Sequence, residues 1–160
     1  MKRALICLLT FVALASVVPV AAQDESQPPD LVFRSGDTRQ RGNLGSYCWE
    51  SPSGSKCEDT FSFDWPPPDQ AKSRAKARVV LKYPEKPKQM SLDYWRRVNE
   101  NGEPAGRPHG IEFRLEPRDG RRGRVWDAKF RLPSSGRFYM RAFAQWDAGD
   151  GFYDFNIVLD

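Results

Sequence analysis

From Leu31 onward the chain is a series of short apolar alternations separated by Gly, Pro, Asn and Asp, the pattern of an all-β sandwich or barrel. LVF opens the series. Phe61, Phe63 and Trp65 alternate with Ser62 and Asp64 and predict a strand, closed by Pro66-Pro67-Pro68 because proline has no N–H to give a ladder. VVLKY (Val79 to Tyr83) and SLDYWRRV (Ser91 to Val98) predict two more, the second ended by the turn-rich NENGEPAG. Ile111, Phe113 and Leu115 alternate with Glu112 and Arg114. The turn PRDGRRG then leads into a strand on which Trp126, Ala128, Phe130 and Leu132 share a face. The C-terminal pair is the clearest. In RFYMRAFAQW the residues Phe138, Met140, Ala142, Ala144 and Trp146 point one way, and in FYDFNIVLD the inward set is Tyr153, Phe155, Ile157 and Leu159, with DAGDG as a short hairpin connection between them. Helical periodicity is almost absent. DQAKSRAKAR would suit an amphipathic helical turn, yet Lys72, Arg74, Lys76 and Arg78 alternate as a strand face does, so strand or irregular structure is expected.

Ahead of this pattern, Met1 to Gln23 combines two positive charges, a long apolar run, Pro19 and the small residues Val20-Ala21-Ala22, which reads as a secretory signal cut after Ala22. A retained membrane anchor is the competing reading, since Ala4 to Ala22 is nearly long enough to span a bilayer. Cys7 lies early in the apolar run, away from the cleavage point where a lipidated cysteine must sit. The expected organisation is a signal peptide over 1–22, a polar, Pro-bearing flexible arm over 23–30, and one domain over 31–160. Removing 22 residues from 160 leaves 138, enough for one modest core. After cleavage no stable membrane insertion is expected, and the mature protein is expected to be secreted or periplasmic.

Export changes how the cysteines read. Cys48 and Cys57 remain, eight residues apart in GSYCWESPSGSKCED, and in an oxidising compartment such a pair is most simply a disulfide. Zinc needs four ligands, and the single histidine, His109, is distant in sequence. A redox centre usually spaces its cysteines by two residues.

The run LPSSGRFYMRAFAQW, Leu132 to Trp146, resembles the corner and following strand of immunoglobulin-like sandwiches, with Phe138 in the place of the corner tyrosine. Cys48 and Cys57 are too close in sequence to be the inter-sheet disulfide of antibody domains. The order YCW with a nearby second Cys, then YWRRVNENGEPAG, then LPSSGRFYMRAFAQWDAGDG is similar to that of uncharacterised bacterial secreted proteins with this sandwich, over about residues 45 to 160. The resemblance implies an immunoglobulin-like antiparallel β-sandwich of about seven strands, and export. It implies no catalytic residues.

Chemistry is sparse in the mature chain. Catalysis needs a nucleophile or paired titratable groups, and His109, between Pro108 and Gly110, reads as a solvated turn residue rather than a general base. Glu58-Asp59, or Asp147 with Asp150, would supply oxygen ligands to calcium, but too few of them. Neither a metal nor a cofactor is therefore expected, and a small hydrolase built on His109 and loop carboxylates is the weakest reading. The net charge of +4 loses Lys2 and Arg3 with the signal, leaving 23 basic against 21 acidic residues, or +2, which does not suggest nucleic acid. The basic residues are clustered nonetheless. Lys72, Arg74, Lys76 and Arg78 form one group, and Arg118, Arg121, Arg122 and Arg124 form a turn suited to gripping phosphate or carboxylate, although charge runs are commonly a solvated face. Among the tryptophans Trp95 is the candidate surface aromatic, since Leu92 and Tyr94 alternate on the face opposite to it. The expected function is a non-enzymatic module binding a protein or cell-envelope partner, with polyanion binding through the arginine clusters as the alternative.

Overall fold

A computed structural model describes residues 26–60, 63–118 and 125–160. The predicted signal segment, the first residues of the arm, Phe61, Ser62 and the turn residues 119–124 lie outside the described residues. The strands are β1 (Leu31–Ser35), β2 (Thr38–Arg41), β3 (Asn43–Ser51), β4 (Gly54–Glu58), β5 (Asp69–Ala71), β6 (Lys76–Leu81), β7 (Gln89–Trp95), β8 (His109–Gly110), β9 (Arg114–Pro117), β10 (Trp126–Arg131), β11 (Gly136–Gln145) and β12 (Gly149–Leu159). The described residues contain no helix.

Two sheets pack face to face. The first has the order β2-β1-β6-β10-β9, antiparallel throughout. The second runs β4-β3-β12-β11-β7-β8, also antiparallel, and adds β5 in parallel beside the end of β12. The free edge of β12 is thus divided: Gly149 to Asp154 pair with β3, and Ile157 to Leu159 with β5. Between the sheets lies the core that the alternation predicts. Phe138, Met140, Ala142 and Ala144 of β11 and Tyr153, Phe155, Ile157 and Leu159 of β12 are all buried, facing Phe33, Val79, Leu81, Ala128 and Phe130 of the first sheet. Each large apolar side chain so removed from water contributes about 1.5–3 kcal/mol. One end of the core is closed by Trp49, Tyr83 and Trp146, whose rings meet edge to face with centroids 5.7 to 5.8 Å apart.

Three expectations are corrected. The strands number twelve among the described residues rather than about seven, because two hairpins, β1–β2 and β3–β4, extend one edge of each sheet. The strand predicted from Phe61 to Trp65 does not form over its described part. Residues 63–68 instead cross the outer face of the second sheet, where Phe63 stacks on Trp65 at 5.2 Å and Pro66 accepts a hydrogen bond from Asn156. The three prolines deny this segment a ladder, so its aromatics cover a face rather than fill the interior. Finally, the end of the arm packs: Pro28 and Pro29 are buried, and the Tyr153 hydroxyl donates to the Pro29 carbonyl at 2.8 Å. Burial pushes that hydroxyl's pKa up.

Candidate functional site

The outer face of the first sheet is built from residues that the inward alternation leaves over. Where Phe33, Val79 and Ala128 point into the core, their neighbours Arg34, Arg78 and Lys129 point out. Antiparallel register places Arg39 opposite Arg34, Arg34 opposite Arg78, Arg78 opposite Lys129 and Lys129 opposite Arg114. Directly paired residues share a face, so one row of five basic side chains crosses all five strands. At the usual spacing of about 4.8 Å between strands the row is about 19 Å long. Lys76 and Arg131, also paired, add two more positive charges on the same face.

On its other side the row is flanked by two acids. Asp127, 3% exposed, accepts from Arg118 Nη2 at 2.8 Å and Nε at 3.3 Å, and lies 4.0 Å from Arg78 Nη1. Glu116 pairs with Lys129 at 2.8 Å and with Arg114 at 3.7 Å, and the Lys129 ammonium holds its carboxyl below the ordinary range. Two carboxylates thus face an excess of cations. The Nε–H groups of Arg34 and Arg78 are buried and find no acceptor among the described residues. A depression of about 530 Å³ is lined by Arg34, Lys76, Arg78 and Lys129 together with Gly36, Ala77 and Phe130. The arrangement can bind oxyanions; an unsatisfied guanidinium gains a charge-assisted hydrogen bond by turning to one.

The residues singled out in the sequence fall in several places. Arg118 is engaged with Asp127 at the rim of this same face, while Arg121, Arg122 and Arg124 lie outside the described residues. Of the other basic cluster only Lys76 and Arg78 are on the strand; Lys72 and Arg74 occupy the preceding turn, where Arg74 has φ 54°. Trp95 is half-buried on the outer face of the second sheet, edge-on to Phe63 at 6.1 Å. His109 is exposed in the two-residue β8, stacked on Tyr94 at 4.9 Å, and so stands in a short strand rather than a turn. Glu58 pairs with Lys56, Asp59 accepts from Ser46 and Asp147 pairs with Lys88. No cluster of three or more metal-ligating side chains occurs among the described residues. Cys48 and Cys57 are disulfide-bonded, directly opposite one another on β3 and β4.

Arg34, Arg39, Arg114 and Lys129 escaped the sequence reading because they come from four separate segments. The signal was present: each alternates with apolar or core-facing neighbours, as in Phe33-Arg34 and Ala128-Lys129-Phe130, but only register shows that they align.

The outer face of the second sheet is different in kind. Arg141 donates to Asp154 through Nε at 2.6 Å and Nη2 at 2.7 Å, and its guanidinium lies 3.7 Å from the Phe63 ring centroid. Asp154 is 1% exposed, and burial pushes its carboxyl pKa up against the pull of Arg141. Arg141 and Asp154 are paired with each other within the fold, beside the 63–68 segment. Compared with protein-family models, with curated proteins and with solved structures, the chain matches none.

Proposed function

We propose that the protein is a non-enzymatic, immunoglobulin-like module that acts outside the cytoplasm and binds an anionic cell-envelope partner through the outer face of the five-stranded sheet. The row Arg39, Arg34, Arg78, Lys129 and Arg114 carries this reading. Basic residues on edge strands are explained by the need to stop sheets pairing edge to edge, which accounts for Arg39 on β2 and Arg114 on β9. It does not account for Arg34, Arg78 and Lys129, which stand on the three central strands. Like charges directly opposite one another are destabilising, so a row of five is a burden on the fold that an anionic ligand relieves.

The finer assignments rest on separate observations. The orders β1-β6-β10-β9 and β12-β11-β7 follow the A-B-E-D and G-F-C orders of immunoglobulin sandwiches, with β2, β3, β4, β5 and β8 as additions. Export is supported by the signal-like residues before Gln23 and is compatible with the Cys48–Cys57 disulfide. No helix among the described residues is long and apolar enough to cross a membrane. The non-enzymatic reading is supported by a sequence that pairs no nucleophile with a base.

The test titrates the protein with anionic and neutral envelope polymers at low and high salt, alongside an Arg34→Ser/Arg78→Ser variant and a variant with Arg118, Arg121, Arg122 and Arg124 changed to Ser. Binding to the anionic polymer alone is expected, weakening as the screening length falls from about 10 Å at 0.1 M to about 3 Å at 1 M. The sheet-face variant should lose most of it. Unchanged binding by a folded Arg34→Ser/Arg78→Ser protein would overturn the assignment.

A further inference from the structure

Building on the anion-binding reading, we infer that the ligand is a linear polysaccharide with one carboxylate on each sugar, lying across the strands along the row from Arg39 to Arg114. The row offers one cation per strand, so its charge repeat is the interstrand distance of about 4.8 Å. A hexose unit in an extended chain advances a polymer by a comparable step. A chain of five acidic sugars laid perpendicular to the strands therefore meets Arg39, Arg34, Arg78, Lys129 and Arg114 in turn. The alternative direction, along a strand, offers no more than two cations in a row, as in Arg39-Arg41, Lys76-Arg78 and Lys129-Arg131, and the Lys76-Arg78 run ends at the apolar Val80.

The surroundings select the kind of polymer. Single-stranded nucleic acid is held by aromatic side chains on which bases stack, and no outward-facing position on these five strands is aromatic; Val32 and Val80 are the apolar residues there. A stiff duplex is disfavoured because sheet twist turns successive side chains by about 20–25° per strand, which a polymer with a flexible linkage at every sugar can follow. Guanidinium forks match the planar carboxylate, and arginine occupies four of the five positions. The depression lined by Arg34, Lys76, Arg78 and Lys129 lies along the same row.

The experiment uses unbranched galacturonic acid oligomers of one to eight units, with polyphosphate and oligo-dT of matched charge as comparators, and the long polymer as the reference ligand. Affinity should climb with each unit to about five and then level off. For the pentamer it should fall on the order of hundredfold over a fourfold rise in salt, the counterion release of five contacts. Arg39→Ser and Arg114→Ser, at the two ends of the row, should each weaken the pentamer about two- to fivefold and leave the dimer unchanged, with an unaltered melting temperature as the check on folding. Salt-sensitive binding of the long polymer with no step in oligomer length would overturn the row while keeping the anion-binding reading. Tighter binding of polyphosphate or oligo-dT at equal charge would overturn the polysaccharide. No binding to any of the three would overturn the reading on which the inference rests.

Discussion

Asp127 shows how a single residue separates stability from binding. Its buried carboxylate accepts two hydrogen bonds from Arg118 and lies 4.0 Å from Arg78, so it pairs one guanidinium, attracts a second and also lowers the positive charge of the face on which it sits. Asp127→Asn leaves those donors underpaired and should lower stability by about 1–3 kcal/mol, measured by denaturant unfolding. The same change removes one negative charge from beside the row and should tighten binding of an anionic polymer at low salt. A variant that lost stability and affinity together would show that Asp127 holds the row in place instead of opposing it. Little of this was legible beforehand. Asp127 sits in VWDAKF as an ordinary outward polar residue, and Arg118 stands in the sequence as one of four turn arginines suited to an external anion or to solvent. Only the pairing of β9 with β10 brings the two together.

Elements were legible where alternation met a core on one side. The whole inward sets of β11 and β12 follow from period-two patterning, because each apolar residue there had one destination. The segment before the three prolines misled for the same reason: Phe63 and Trp65 alternate as strand residues do, yet they cover the outer face of a sheet, a destination that alternation does not distinguish from the core. The Cys48–Cys57 disulfide is read correctly from chemistry alone, closing a ring worth about 2.5–3 kcal/mol in the chain-entropy model, while the β3–β4 hairpin that carries it went unpredicted. All five residues of β4 are exposed, so this strand depends on the staple and its ladder. The junction of β3 with β12 is more sensitive. Gly149 has φ 146°, and a Cβ there would fall 2.0 Å from the Cys48 carbonyl oxygen. Gly149→Ala should therefore cost about 1–3 kcal/mol and loosen the Gly149–Trp49 pairing, seen as faster amide exchange in β3. Exchange and melting temperature both unchanged would mean that the turn has room the geometry denies it.

At the scale of the molecule, the sandwich presents two unlike outer faces. One is crossed by its own residues 63–68, with Arg141 held between Asp154 and Phe63. The other carries the cations of five strands in register. Net charge conceals this division, because +4 over the 160 residues is the sum of a basic face and a mixed remainder. Sequence clusters found Lys76 and Arg78 but missed the row, since charge that is dispersed along the chain becomes contiguous only across strands. The most direct measurement is an NMR titration of the protein with an anionic oligosaccharide, following backbone amides and arginine side chains. The account predicts shifts concentrated in β1, β6 and β10, extending to β2 and β9 and reversed by salt, with the amides around Trp95, Phe63 and Arg141 unmoved. Shifts gathered on β7, β11 and the 63–68 segment instead would contradict it.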